Sequence, residues 1–150
     1  MNTAKNAFLL FSGFLLLLSA GCNSGTGNDK NSDAGRLQKE VEEIHDESMA
    51  KIGNLRYYQD TLATLLREMN LDTSATNTEI AEKYTSVMAA LNEADDMMMD
   101  WMRNYNPNRG EMNSEERMEY LKSEKEKIEE VKTRMDEVIR KAENLLKNSN

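Results

Sequence analysis

Two pairs of side chains set four residues apart carry most of the chemistry this chain could do: His45 with Met49, and Met98 with Met102. The single tryptophan, Trp101, stands beside the second pair. Four residues is just over one helical turn, so each pair shares a helix face. Imidazole and thioether donors together suit Cu(I) or Ag(I). An indole face can cover a bound cation. Met97 and Met99 flank Met98, but successive helical residues point about 100° apart, so the three cannot converge on one ion. A plainer use competes with the metal. Methionine is an adaptable core filler, and tryptophan seals the end of a helical core. The plainer use is the expected one, and no cofactor is assigned.

Other chemistry finds less support. Glu42-x-x-His45 is half of a di-iron bundle motif, and the chain has no second histidine to complete it. One cysteine cannot build a zinc cluster. Asp95, Asp96 and Asp100 scatter around a helix and do not match a calcium loop. No glycine-rich phosphate loop and no nucleophile elbow occurs. No catalytic residue is assigned, and an enzyme is not expected. The formal net charge of −8 repels phosphate backbones, so nucleic acid is not an expected partner.

The elements that would position these residues are helices. Apolar residues recur three or four apart over about 37–69, from Leu37, Val41 and Ile44 to Leu62, Leu65 and Met69. Gly53 inside this segment is expected to bend it or to allow a close approach. Over about 77–105 the stripe is Ile80, Tyr84, Val87, Leu91, Ala94, Met98, Trp101 and Tyr105, a heptad pattern with Thr76 and Glu79 as a capping box. Over about 114–147 it is Met118, Leu121, Ile128, Val131, Met135, Val138, Ala142 and Leu145, with Lys125 in one stripe position and Asn113 and Glu116 as caps. The joints are short and hold turn formers, Pro107 and Gly110 among them. Short joints make neighbouring helices antiparallel. The expected fold is all-α: an antiparallel, up-down-up three-helix bundle over 36–148. A single long hairpin or an intermolecular coiled coil ranks lower, because the pattern breaks twice. The turns would bring His45 level with Trp101, and Trp101 level with about Met118. The mixed charges of the last helix read as a solvated face with i, i+4 pairs.

The N-terminus is of another kind. Lys5 precedes an uncharged run from Asn6 to Ala20, too short for a membrane span and of signal-peptide length. Ser19, Ala20 and Gly21 then lead into Cys22, the only cysteine. This order resembles a bacterial lipobox, with Ser19 where leucine is usual. The resemblance implies that 1–21 are a cleaved signal peptide and that Cys22 is lipidated. Acyl chains of this kind anchor a protein stably. Asn23 in place of an aspartate resembles the sorting signal for the outer membrane. Residues 22–35 are polar and glycine-rich and read as a flexible tether.

The stretches Ile44 to Leu55 and Ala94 to Tyr105 resemble a family of small, uncharacterised lipoproteins from Bacteroidetes-type bacteria, sometimes automatically called "viral A-type inclusion protein". The resemblance implies a lipid-anchored helical domain and brings no established activity. The expected function is therefore a non-enzymatic structural or protein-interaction module of the cell envelope. Its partners would be the membrane, through the anchor, and an envelope protein. The alternative is soft-metal binding at His45, Met49, Met98 and Met102, with Trp101 adjacent.

Overall fold

The computed structural model describes residues 32–69, 75–108, 110 and 112–148. The expected signal peptide, Cys22 and most of the tether lie outside the described residues. Four helical segments follow one another: α1 (Asp33–Met49), α2 (Ile52–Met69), α3 (Ala75–Asn104) and α4 (Ser114–Lys147). Segments α1 and α2 are two halves of one bent helix, so the architecture is the expected three-helix bundle. The bent helix and α4 run parallel, with α3 antiparallel between them.

The boundaries have local causes. Helix α1 begins at Asp33, inside the stretch read as tether, because Ser32 caps it: the Gly35 N–H donates to Ser32 Oγ at 3.1 Å. The acidic Asp33 also suits the positive end of the helix. Helix α3 is already helical at Ala75, so Thr76 lies within it and is not its N-cap. Glu79 pairs instead with Lys83, at 2.8 Å. The Asn113–Glu116 capping box is present as read: Asn113 Oδ1 accepts from the N–H groups of Glu115 and Glu116, and Glu116 Oε2 accepts from the Asn113 N–H. Gly110 takes φ +65° in the joint before α4, a left-handed conformation that favours glycine.

The bend falls at Ala50–Lys51 and not at Gly53. Gly53 is exposed, and a Cβ built on it would meet nothing, so no close approach depends on it. At the bend the fully buried Ser48 sends its hydroxyl back to the Ile44 carbonyl at 2.8 Å, a bond that Thr61, Thr85 and Thr133 also make within unbroken helices. The Lys51 N–H then bonds the Ser48 carbonyl at 3.0 Å, a three-residue step that tightens the turn.

The core follows the heptad stripes. Val41, Leu55 and Leu62 of the bent helix are fully buried, and Ser48 fills the intervening seventh position. Helix α3 contributes Tyr84, Leu91, Ala94, Met98 and Trp101. Helix α4 contributes Leu121, Ile128, Val131, Met135, Val138 and Ala142. One stripe position differs from expectation: it belongs to Glu124, 3% exposed, and not to Lys125. Steps of three and four from Leu121 to Ile128 pass through 124. Lys127 reaches Glu124 Oε1 at 2.8 Å and supplies the cation that a buried carboxylate requires.

The α4 charges are also more than a solvated face. Lys125 pairs with Glu40 at 2.7 Å, Lys132 pairs with Glu47, and Lys51 pairs with Asp136. Each of these three pairs spans 85 residues of sequence. Arg117 adds a hydrogen bond to Gln38 at 2.7 Å. A constant offset is the mark of two parallel helices in one register, with the rungs at flanking heptad positions.

Replacing Glu124 by leucine should raise the unfolding free energy by about 1–3 kcal/mol in urea melts, since apolar residues often outperform buried ions. Lys127→Ala should lower it by about 1–3 kcal/mol, because the Glu124 carboxylate stays buried without its cation. The ladder should also be pH-bounded. The hydrogen bond from Lys132, then its charge, holds Glu47 below the ordinary glutamate value of 4.5. The hydrogen bond to Glu47 raises Lys132 above the ordinary 10.5. A lowered acid gives its stability above 4.5 and loses it as pH falls through the folded value. A raised base gives its stability below 10.5 and loses it as pH rises through the folded value. The melting-temperature difference between wild type and Lys132→Met should therefore be present between these limits and fade beyond each.

Candidate functional site

The side chains singled out by their chemistry converge at the end of the bundle where α1, the C-terminal part of α3 and the first turns of α4 meet. The His45 ring stacks on Trp101 with centroids 5.5 Å apart and planes at 29°. Trp101 stacks on Tyr105 at 4.6 Å and 18°. Tyr105 faces Tyr120 of α4 at 6.4 Å and 15°. Four rings from three helices thus form a ladder across the bundle. The Asn106 N–H donates to the Tyr120 hydroxyl at 2.7 Å, which ties the ladder to the α3–α4 joint.

The level pairing of His45 with Trp101 is as the turn positions imply. The ladder's other two members were not expected as ring partners, although Tyr105 sits four residues after Trp101, a spacing that stacks rings on a helix. Tyr120 lies two residues beyond Met118, the residue expected at this level. Met118 itself is half-buried.

The methionines divide. Met98 is fully buried in the core, and Met49, Met97 and Met102 pack against that core from its edge. Met99 is half-buried. The Trp101 ring is 7% exposed and takes both His45 and Tyr105 as stacking partners. His45 Nδ1 lies 3.0 Å from Asp46 Oδ1, which occupies one imidazole nitrogen. The cluster is part core and part surface, with His45 a quarter exposed. Among the described residues no group of three or more His, Cys, Asp or Glu side chains is placed to hold a metal ion.

The cluster is not wholly apolar. Trp101 Nε1 and the Tyr105 hydroxyl are buried without a hydrogen-bond partner among the described residues. Burial pushes the Tyr105 phenol well above its ordinary value, and the negative charges of Glu42 and Glu124 push the same way. Tyr105 therefore stays neutral and keeps its proton.

Away from the cluster, two shallow grooves lie along the α3–α4 seam. One is walled by Glu79, Glu82, Lys83 and Lys141, with Val87 and Leu145 between them. The other runs beside Met97, between Glu93, Glu129 and Glu137, with Arg134 in ion pairs to Glu93 and Glu137. Both are open surfaces, and neither adjoins the aromatic ladder.

The chain matches no protein-family model, no curated protein and no solved structure.

Trp101→Ala should cost about 3–5 kcal/mol of stability in denaturant melts, the usual cost of emptying a large aromatic site. Trp101 emission should stay flat when the folded protein is titrated with Cu(I) or Ag(I) under reducing conditions. A stoichiometric change that disappears in His45→Ala and Met98→Leu would assign the cluster to soft metal instead.

Proposed function

We propose that this protein is a lipid-anchored module of the bacterial cell envelope that works through protein contacts and not through catalysis. The observation that carries the reading is the order of its parts. Cys22, the only cysteine, follows an uncharged apolar run and three small residues, and an all-helical bundle stands behind it. Two features support the second half of the reading. The bundle has a continuous packed core, and its surface is covered with charges of both signs, many of them in ion pairs. Among the described residues no helix is long and apolar enough to cross a membrane.

The start of α1 lies at the same end of the bundle as the C-terminus of α3, so the tether would join the domain at that end. Asn23 favours the outer membrane as the address. The resemblance to small Bacteroidetes-type lipoproteins implies a lipid-anchored helical domain, and an envelope protein is the partner class.

Expressed in a bacterium that processes lipoproteins, the full chain should take up labelled palmitate and sediment with membranes. Cys22→Ala should lose the label and leave the membrane fraction, while its far-UV circular dichroism stays helical. Equal labelling of both forms would refute the anchor.

A further inference from the structure

Methionine sits mainly at the edge of this core. Among the described residues only Met98 and Met135 are fully buried methionines, and the others are half-buried. A half-exposed position gives a thioether no packing advantage over leucine, and methionine loses more rotamer freedom when it is ordered. What methionine adds there is a sulfur within reach of solvent, open to oxidation. These sulfurs are densest around Trp101, with Met97, Met98, Met99 and Met102 on one stretch of α3. Successive helical residues point about 100° apart, so Met97 and Met99 stand to either side of Met98. Met97 lines the open groove on the α3–α4 seam. Met102, about one turn after Met98, packs against the core from its edge. Solvent approaching Met98 or Trp101 along either flank of α3 therefore meets a half-buried thioether first.

A sulfoxide is tolerable at the edge and not at the centre. At the edge its oxygen can turn to water. At Met98, with no exposed surface, it would be a buried acceptor that needs a donor. The neighbouring carboxylates bear on the kind of oxidant. Asp96 and Asp100 are exposed beside these methionines, and the chain carries a formal net charge of −8. Negative charge disfavours the approach of anions, so an uncharged oxidant has the advantage.

We propose that Met97, Met99 and Met102 are oxidation sites that take up uncharged two-electron oxygen donors, of the hypochlorous acid class, and spare Met98 and Trp101. In the step a thioether lone pair attacks the oxygen of hypochlorous acid. The S–O bond forms, the O–Cl bond breaks, and chloride leaves with the bonding pair. The hydroxyl proton passes to water. Sulfur is oxidised by two electrons and chlorine is reduced by two, so methionine and hypochlorous acid give methionine sulfoxide, chloride and a proton. The product is a substrate for methionine sulfoxide reductases, which return the thioether and ready the site for another turn.

The test treats the full chain with rising doses of hypochlorous acid and maps each methionine by peptide mass spectrometry. Met97, Met99 and Met102 should become sulfoxides at doses about tenfold below those that reach Met98. Far-UV circular dichroism should stay helical and Trp101 emission should persist while the three convert. A second form carries Met97→Leu, Met99→Leu and Met102→Leu, swaps that keep volume and apolar character. In this form Met98 and Trp101 should be oxidised at doses several-fold lower than in wild type. The same point can be tested without substitution. Wild type whose three edge thioethers have been consumed, then washed, should lose Met98 and Trp101 to a second dose, and prior treatment with the reductases should restore their protection. Three results would each overturn the proposal: Met98 oxidised as early as its neighbours, helicity lost as the three convert, or Met98 and Trp101 spared equally with the edge thioethers replaced or consumed. The last would mean that burial alone protects them.

Discussion

The parallel docking of α1 on α4 is the constraint from which the rest of this structure follows. Helices α3 and α4 are neighbours in sequence and pair across a short joint with α4 capped by Asn113, and α2 packs on its sequence neighbour α3. Only α1 must find a partner remote in sequence, and it does so at a constant offset of 85 residues. That contact closes the bundle at the end where Met98 and Trp101 are buried. It brings His45 onto the indole and completes the ring ladder that Tyr105 and Tyr120 begin. Without it the largest aromatic side chain of the core would face water.

Polar groups inside the core make the arrangement specific. Ser48 occupies a seventh position where an aliphatic side chain would bury more apolar surface, and its hydroxyl is satisfied by the Ile44 carbonyl. Glu124 fills a stripe position and ties it to Lys127. A shift of α4 by one heptad would lose one of the three charge rungs and move this carboxylate against a different layer. The buried donors of Trp101 and Tyr105 are a further departure from an idealised core. These features cost stability and narrow the registers the chain can adopt.

Much of this was legible in the sequence. Every stripe residue named on α3 is buried or packed against the core, because that helix carries an unbroken heptad of apolar side chains. The Asn113–Glu116 cap was legible because both partners lie within one turn. Reading failed where hydrophobicity was the wrong guide. Ser48 and Glu124 are polar and so were passed over, although their positions in the repeat mark them as core. Gly53 is a helix breaker by type, yet the bend falls upstream of it at Ala50–Lys51. The charges of α4 were read against neighbours on their own helix. Their true partners, Glu40 and Glu47, are distant in sequence, and only the shared seven-residue spacing hinted at them. The pairing of His45 with Trp101 was found by counting from the turns, which works when the joints are short. The ring ladder beyond it depends on side-chain orientation, which counting does not supply.

Zero-length carbodiimide cross-linking, read by peptide mass spectrometry, tests the register most directly, because it joins only carboxylates and amines already in contact. The account predicts links between Glu40 and Lys125, Glu47 and Lys132, and Lys51 and Asp136, and none between Glu40 and Lys132. Links displaced by a heptad, or links from the α1 carboxylates to Lys141 or Lys147 in place of Lys125 and Lys132, would contradict the parallel docking on which the fold is built.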